Sequence, residues 1–366
     1  APQADFVGDL QRTNQIMLAL SAALLCLGLL LLAFLSRYLT RPIAAVIGET
    51  EKIKALDLKD DLAIHSNIRE IRQLVDATQA MKSTIRAFTT FVPRTLVRQL
   101  LSSGKTLEVG GQSRYLTIMF TDMDGFSALA ESTPTRELMS QVSVHLDTVT
   151  RVIDAHHGTL DKYIGDAVMA FWGAPMPDDD HAYHACLTAL MAQKAMDAVN
   201  AAWIKEGKRP TSFRIGLHTD AVLVGNIGSA ERLAYTVMGD GVNIAAHLET
   251  LNKAYGSRVC VSHSVFREAG ERMLMRPLDQ VVVKGRRGEL IVYELLAGIG
   301  PEAEAAGIAA TAEQRRLVEL TVPAFAAWQA GNREAALDLY RTLLAAFPLD
   351  PVARHFVARC EQRHTI

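Results

Sequence analysis

Hydrophobic and polar positions follow four different rhythms along the chain. From Ile16 to Leu35 there is no charged residue, and at ~1.5 Å rise per residue these positions match the ~30 Å hydrocarbon core of a bilayer. Residues 14–36 are therefore predicted to form a transmembrane helix. A buried core helix or a signal-peptide core are the competing readings, but the segment lacks a basic start and a small-residue cleavage signal. Pro42 then suits the first turn of a new helix, and Ile43, Val46, Thr50 and Ile53 follow in 3-4-3 steps. Asp57, Asp60, Asp61, Ser66 and Asn67 break the pattern across 56–67. It resumes at Ile71, Leu74, Thr78, Met81, Ile85 and Phe88, the stepping of a coiled-coil seam. Helix, connector and helix are expected over 37–90, followed by a linker helix at 91–112. From Tyr115 the rhythm changes to short β-rich runs between helices, an α+β texture that lasts to residue 298. An alanine-rich linker is expected at Ala303–Thr311, and a helical tail fills the rest of 299–366.

Charge adds orientation. Arg37 and Arg41 follow the apolar run, whereas Asp5 and Asp9 offset Arg12 on its near side. The basic-loop rule puts everything after residue 36 in the cytoplasm, with residues 1–13 outside a cell inner (plasma) membrane. Because the chain opens with Ala1 beside the span, an upstream extracellular sensor domain is expected. Lys plus Arg total 38 against 40 Asp plus Glu, a formal net charge of -2, so electrostatics suggests no nucleic-acid partner. Four cysteines without a CxxC pair suggest neither a disulfide framework nor a zinc site. The helix, connector and helix over 37–90 resembles the HAMP signalling module, including Pro42 near its start and Glu70-Ile71 opening its second helix. An ordinary helical hairpin is the alternative. A HAMP-like unit implies pairing with a second copy into a parallel four-helix bundle.

Chemistry concentrates in two acidic turns. Tyr115–Phe126 is a strand that ends on Asp122, Asp124 and Gly125. Thr159–Ile164 and Ala167–Trp172 read as a β-hairpin whose turn carries Asp166. If those strands lie side by side, Asp122 and Asp166 reach one spot, and hard oxygen ligands hold Mg²⁺ or Mn²⁺ against substrate phosphates. Either aspartate alone would be only a turn residue.

The series FTDMDGF, DKYIGDAVMAFWG, FRIGLH, VLVGNIGS, YTVMGDGVNIAAHLE and VVVKGRRGELIVYEL resembles, in order and spacing, the class III adenylyl/guanylyl cyclase catalytic domain across 113–298. The resemblance implies a ferredoxin-like α+β fold and a head-to-tail homodimer with sites assembled from both protomers. It implies Asp122 and Asp166, with the Met123 carbonyl, as ligands of two Mg²⁺ or Mn²⁺ ions per active site. It implies Lys162 and Thr236 as the base-reading pair, the threonine being that of the bicarbonate-responsive branch. Lysine can donate to adenine N1, whereas guanine presents a donor there, so ATP rather than GTP is the expected substrate. Asn243 matches the transition-state asparagine, and Arg214 and Lys284 match residues that meet the phosphates. Two positions depart from the pattern: His247 stands where an arginine is usual, and Asp220 where a glycine is usual. Histidine is shorter than arginine and neutral for much of the time near pH 7. The expected function is thus an adenylate cyclase gated across the membrane; the alternative is a weakened homologue that binds nucleotide and signals by shape. In the tail, the spacing of Trp328, Gly331, Ala335, Tyr340 and Pro351 resembles one tetratricopeptide-like (TPR-like) helical pair with a following helix. A lone repeat must bury its face on the cyclase domain or on its twin.

Overall fold

A computed structural model of the chain describes residues 3–62, 64, 66, 68–88, 110–229, 233–282 and 289–362. They divide into two compact units, residues 1–105 and 106–366. The first contains α1 (Gln3–Lys54) and α2 (Arg69–Phe88). Within α1 the most apolar window has a mean hydropathy of 2.7 and none of it is buried. Among the described residues this is the one helix long and apolar enough to cross a membrane.

The expected helix start at Pro42 is corrected: α1 runs through Pro42 without a break. Proline removes one backbone donor and crowds one carbonyl, and the turns on either side of it carry the helix across. The expected seam also divides. Val46, Ile53, Ile71 and Thr78 are buried, while Ile43, Leu74 and Met81 are exposed. Val75 and Lys82 take their places inside. The inward face of α2 is the 71/75/78/82 face, slightly rotated from the 71/74/78/81 stripe, so an apolar flank is left outward. Lys82 enters this interior as an ion pair, its Nζ 3.0 Å from Glu49 Oε2. The expected linker helix lies mostly outside the described residues; its last positions, 110–112, belong to a strand.

That strand, β1 (Gly110–Met123), opens the second unit. It is followed by α3 (Phe126–Ser132), α4 (Thr135–Ala155), β2 (Thr159–Ile164), β3 (Ala167–Trp172), α5 (His181–Lys205) and β4 (Phe213–Gly228). The pairs β1/β4, β1/β3 and β2/β3 are all antiparallel. The order β2-β3-β1-β4, with helices after β1 and β3, is the expected ferredoxin-like arrangement. Then come β5 (Leu233–Met238), α6 (Asp240–Tyr255), β6 (Val259–Ser262), α7 (His263–Ala269), β7 (Met273–Val282) and β8 (Glu289–Gly298). They extend the sheet as β4-β6-β8-β7, with β5 hydrogen-bonded to the far half of β4.

The hydrophobic pattern explains the layers. Met196 of α5, Ile153 of α4 and Val265 of α7 bury one sheet face around Trp172 and Ile215. On the other face Leu116, Phe171, Val222 and Val237 pack with Ala245 of α6. The helix α6 lies directly on β4 because Gly216 has no side chain: a Cβ there would come within 2.3 Å of the Ala245 carbonyl and the Glu249 amide.

The expected linker at Ala303–Thr311 is corrected as well. Pro301–Ala306 forms α8, with Ala303 buried against Gly298 and Glu302 accepting from the Tyr183 hydroxyl at 2.7 Å. Small alanine side chains allow this close docking. The tail follows as α9 (Ala312–Gln329), α10 (Arg333–Ala346) and α11 (Pro351–Glu361). Its apolar face packs on its own cyclase unit, where Tyr340, Leu343 and Phe356 join Ile244, Leu248, Tyr255 and Val292 in one core. Buried Arg276 ties the two parts, 2.6 Å from Glu294 and 2.7 Å from Asp350.

His145 of α4 is wholly buried, edge-on to Phe213 at 5.0 Å, and among the described residues neither ring nitrogen has a hydrogen-bond partner. Burial pushes its pKa down to about 4. An unfolded histidine titrates near 6.5, so between these values the unfolded state holds more protons and stability falls as pH falls. We expect the parent to lose about 2 kcal/mol between pH 7 and pH 5 that His145→Leu does not lose, read from denaturant midpoints of the two proteins in detergent.

Candidate active site

Register brings the two acidic turns together. Thr121 on β1 stands opposite Val168 on β3, and continuing the ladder two residues sets Asp166 beside Met123, whose backbone N–H donates to Asp166 Oδ2 at 3.3 Å. Gly165, at φ 66°, supplies the left-handed turn that delivers Asp166. Burial raises the pKa of Asp166 above the usual carboxylate range, and the neighbouring Asp122 charge adds to the rise. Two like charges held close in a half-buried site are what a cation would relieve.

Arg214, cross-strand from Asp122 on β4, provides part of that relief. Only 6% exposed, its guanidinium donates to Asp122 Oδ2 at 2.8 Å and to Glu249 Oε1 at 2.9 Å and contacts the Asp124 carboxylate. Among the described residues no group of three or more His, Cys, Asp or Glu side chains forms a ready metal cage. The donor set is instead two carboxylates beside a strand-end backbone. Hard oxygens that leave coordination positions open to water and phosphate fit Mg²⁺ or Mn²⁺.

A second group forms around the β2 edge. Lys162 Nζ donates to Thr236 Oγ1 at 3.3 Å, and the Thr236 hydroxyl donates to Asp161 Oδ2 at 2.5 Å. Lys162 also lies 3.3 Å from Asp161 Oδ1. The strand ladder slips between Leu160 and Lys162, so Asp161 is the extra residue of a β-bulge, and consecutive side chains reach one point instead of opposite faces. Burial raises the Asp161 pKa, opposed by Thr236, Lys162 and the Val237 N–H.

Within one chain, then, Asp122, Met123, Asp166 and Arg214 form one group and Lys162 with Thr236 another. Asn243 and His247 lie one turn apart on the exposed face of α6 and join neither group by a hydrogen bond or ion pair among the described residues. Lys284 lies outside the described residues. Asp220 turns to its neighbours, accepting from the Ala221 N–H at 2.9 Å and standing 3.4 Å from His218 Nε2. Sequence reasoning missed Glu249 and Asp161. An acid on the sheet-facing side of α6 was a signal for Glu249; the bulge that recruits Asp161 leaves none.

The two acidic turns thus meet at the end of the central strand of an α+β sheet of ferredoxin-like order. Residues 111–297 match the family described as adenylate and guanylate cyclase catalytic domain, and the chain belongs to that family. It is 33% identical over 299 residues to adenylate cyclase 1 of Rhizobium meliloti (strain 1021), covering 81% of this chain and 44% of that protein. It is 32% identical over 284 residues to adenylate cyclase of Anabaena cylindrica, covering 72% and 56%. The chain thus spans about half the length of these curated relatives. A bacterial light-regulated adenylyl cyclase of known structure shares the fold, with a TM-score of 0.56 at 24% identity over 63% of this chain and 66% of that one.

Asp122→Ala or Asp166→Ala is expected to abolish formation of cyclic nucleotide from ATP and Mn²⁺, with Asp166→Ala melting near the parent and Asp122→Ala melting lower because it leaves the buried Arg214 guanidinium one partner short. Activity close to the parent in either folded variant would refute the metal assignment.

Proposed function

We propose that the protein is an adenylate cyclase that converts ATP to 3′,5′-cyclic AMP and pyrophosphate. The observation that carries this reading is the meeting of Asp122 and Asp166 at the end of β1. The choice of ATP over GTP is supported by Lys162 held against Thr236, a donor beside an oxygen suited to the adenine edge. The ribose 3′-oxygen bonds to the α-phosphorus, the bond to pyrophosphate breaks, and the hydroxyl proton passes to water or a substrate phosphate. Asp122, Asp166 and the Met123 carbonyl would hold two Mg²⁺ or Mn²⁺ ions, which would supply Lewis-acid activation of the hydroxyl and charge neutralisation at the triphosphate. Arg214 and Lys284 contribute positive charge at the phosphates, and Asn243 orients the reacting group. Asn243 and His247 are exposed on α6, which supports a site completed by a second copy: the carboxylates come from one protomer, and Lys162, Thr236, Asn243 and His247 from its partner.

The first unit fits a membrane anchor followed by a HAMP-like module. Its outward apolar flank of Ile43, Ile47, Leu74 and Met81 suits pairing of two copies, and an extracellular sensor upstream would provide the signal. The tail fits a TPR-like helical pair that supports the cyclase domain. His247 and Asp220 favour a second reading, a weakly active homologue that signals by binding nucleotide. The full chain in detergent, given ATP or GTP with Mn²⁺, decides between them: cyclic AMP formed in preference to cyclic GMP supports the first, and neither product refutes it.

Mixing inactive Asp166→Ala with inactive Asn243→Ala is expected to restore activity, since a heterodimer keeps one intact site; a mixture that stays inactive although heterodimers form rules out the shared site. His247→Arg should raise turnover more than it lowers KM. A planar, permanently charged donor aimed at departing pyrophosphate is worth up to ~3 kcal/mol, of which histidine recovers a part. An arginine variant no faster than the parent at pH 8 would show that this position carries no transition-state charge.

A further inference from the structure

We propose that Asp161 sets the preference for adenine over guanine by fixing the direction of the Thr236 hydroxyl proton. The inference rests on the reading of Lys162 and Thr236 as the base-contacting pair and assigns a third residue to it. The Asp161 side chain is 2% exposed and accepts from the Thr236 hydroxyl at 2.5 Å, from Lys162 Nζ at 3.3 Å and from the Val237 N–H. A threonine hydroxyl has one proton and two lone pairs, and an ionised carboxylate can only accept. The Thr236 proton is therefore committed to Asp161. Toward a ligand Thr236 is left an acceptor, one lone pair already facing Lys162.

Lys162 is a donor and cannot accept, so the pair presents one donor and one acceptor. Adenine offers an N6 amine donor next to an N1 acceptor and satisfies both. Guanine offers an O6 acceptor next to an N1 donor and meets like with like at each position. Without Asp161 the hydroxyl could rotate and donate to O6, and half of the discrimination would be lost. A site whose polar groups are left mispaired rejects the wrong substrate far more strongly than one that merely lacks a contact. Asp161 is thus a specificity-determining residue that acts through Thr236. It reaches Thr236 only because the bulge in β2 turns it toward β5, a strand that is not its neighbour in the sheet.

The test uses the full chain and takes the ATP-to-GTP ratio both from kcat/KM and from competitive binding of the two nucleotides, so a variant with weak turnover still reports. Asp161→Asn keeps the shape but offers an amide N–H that frees the Thr236 proton. The ratio should fall by about tenfold or more, through gain of GTP as well as loss of ATP. The parent's preference for ATP over purine riboside triphosphate, which lacks the 6-amino group, should shrink in parallel. Thr236→Ser should keep the ratio, and Asp161→Asn added to Thr236→Val should change it no further. Asp161→Ser carries the same expectation should the asparagine variant not fold. An unchanged ratio in a folded Asp161 variant, or an undiminished fall in the Thr236→Val background, overturns the proposal. If Lys162→Ala and Thr236→Val themselves leave the ratio unchanged, the base-reading assignment fails and the proposal fails with it, an outcome distinct from failure at Asp161 alone.

Discussion

The buried guanidinium of Arg214 is the interaction on which the rest of the second unit turns. It joins Asp122 and Asp124 at the end of β1 to Glu249 on α6, so one side chain couples the acidic turn, the central strands and the helix that presents Asn243. A buried ion pair contributes little net stability when its parts are already desolvated, but removing one partner strands the others and costs about 3–5 kcal/mol. Arg214 therefore specifies an arrangement more than it strengthens one. It also leaves the charge unbalanced. Asp122, Asp124 and Glu249 share one guanidinium, with Asp166 beside Asp122, and the excess negative charge at the strand end is what divalent cations are suited to offset.

The helix α6 serves two cores at once. Ala245 packs under it with Val222 and Val237, while Ile244, Leu248 and Tyr255 meet the tail. The Tyr255 hydroxyl donates to Asp279 at 2.8 Å, and Arg359 of α11 contacts the same carboxylate. Asn243 and His247 thus sit on a helix clamped from the sheet side by the absent side chain of Gly216 and from the tail side by aromatic packing. The helix is thus restrained on both faces that it buries. The tail in this way braces α6 from the side away from the sheet's first half.

How much of this was legible in the sequence depended on whether the signal was local. The hairpin at 159–172 and the turn at Asp122 were readable, since strands announce themselves by composition and turns by Gly and Asp. The meeting of Asp122 with Asp166 was readable once the two strands were taken as neighbours. Continuity of α1 through Pro42 was not, because proline is a start signal and a kink signal alike, and flanking turns decide which. The alanine-rich segment at 303–311 misled for a related reason: small side chains that weaken a periodic pattern are the same ones that let a short helix dock closely. The Asp161 cluster was invisible, since period-two alternation assigns residues 161 and 162 to opposite faces and only a bulge reverses that. Arg214 was readable as a charged strand residue but not as the partner of Glu249, which lies 35 residues away.

The two-helix unit shows the opposite balance from the catalytic one. Its interior is small, with Val46, Ile71 and Val75 as one buried cluster and Ile53 and Leu58 buried beside it in sequence, and polar groups share it: Thr78 donates to its own helix at Leu74 O at 2.8 Å, and Lys82 pairs with Glu49. The Lys52 and Lys82 ammonium groups hold the Glu49 carboxyl below its ordinary range. An apolar interior of this size binds its helices weakly, and a buried ion pair penalises arrangements that separate its members. Together these favour a few discrete packings over a continuum. Ile43, Leu74 and Met81, exposed in one chain, supply the remaining apolar surface that a second chain would cover. A unit this lightly packed separates its alternative packings by little, so a modest input is enough to shift it between them.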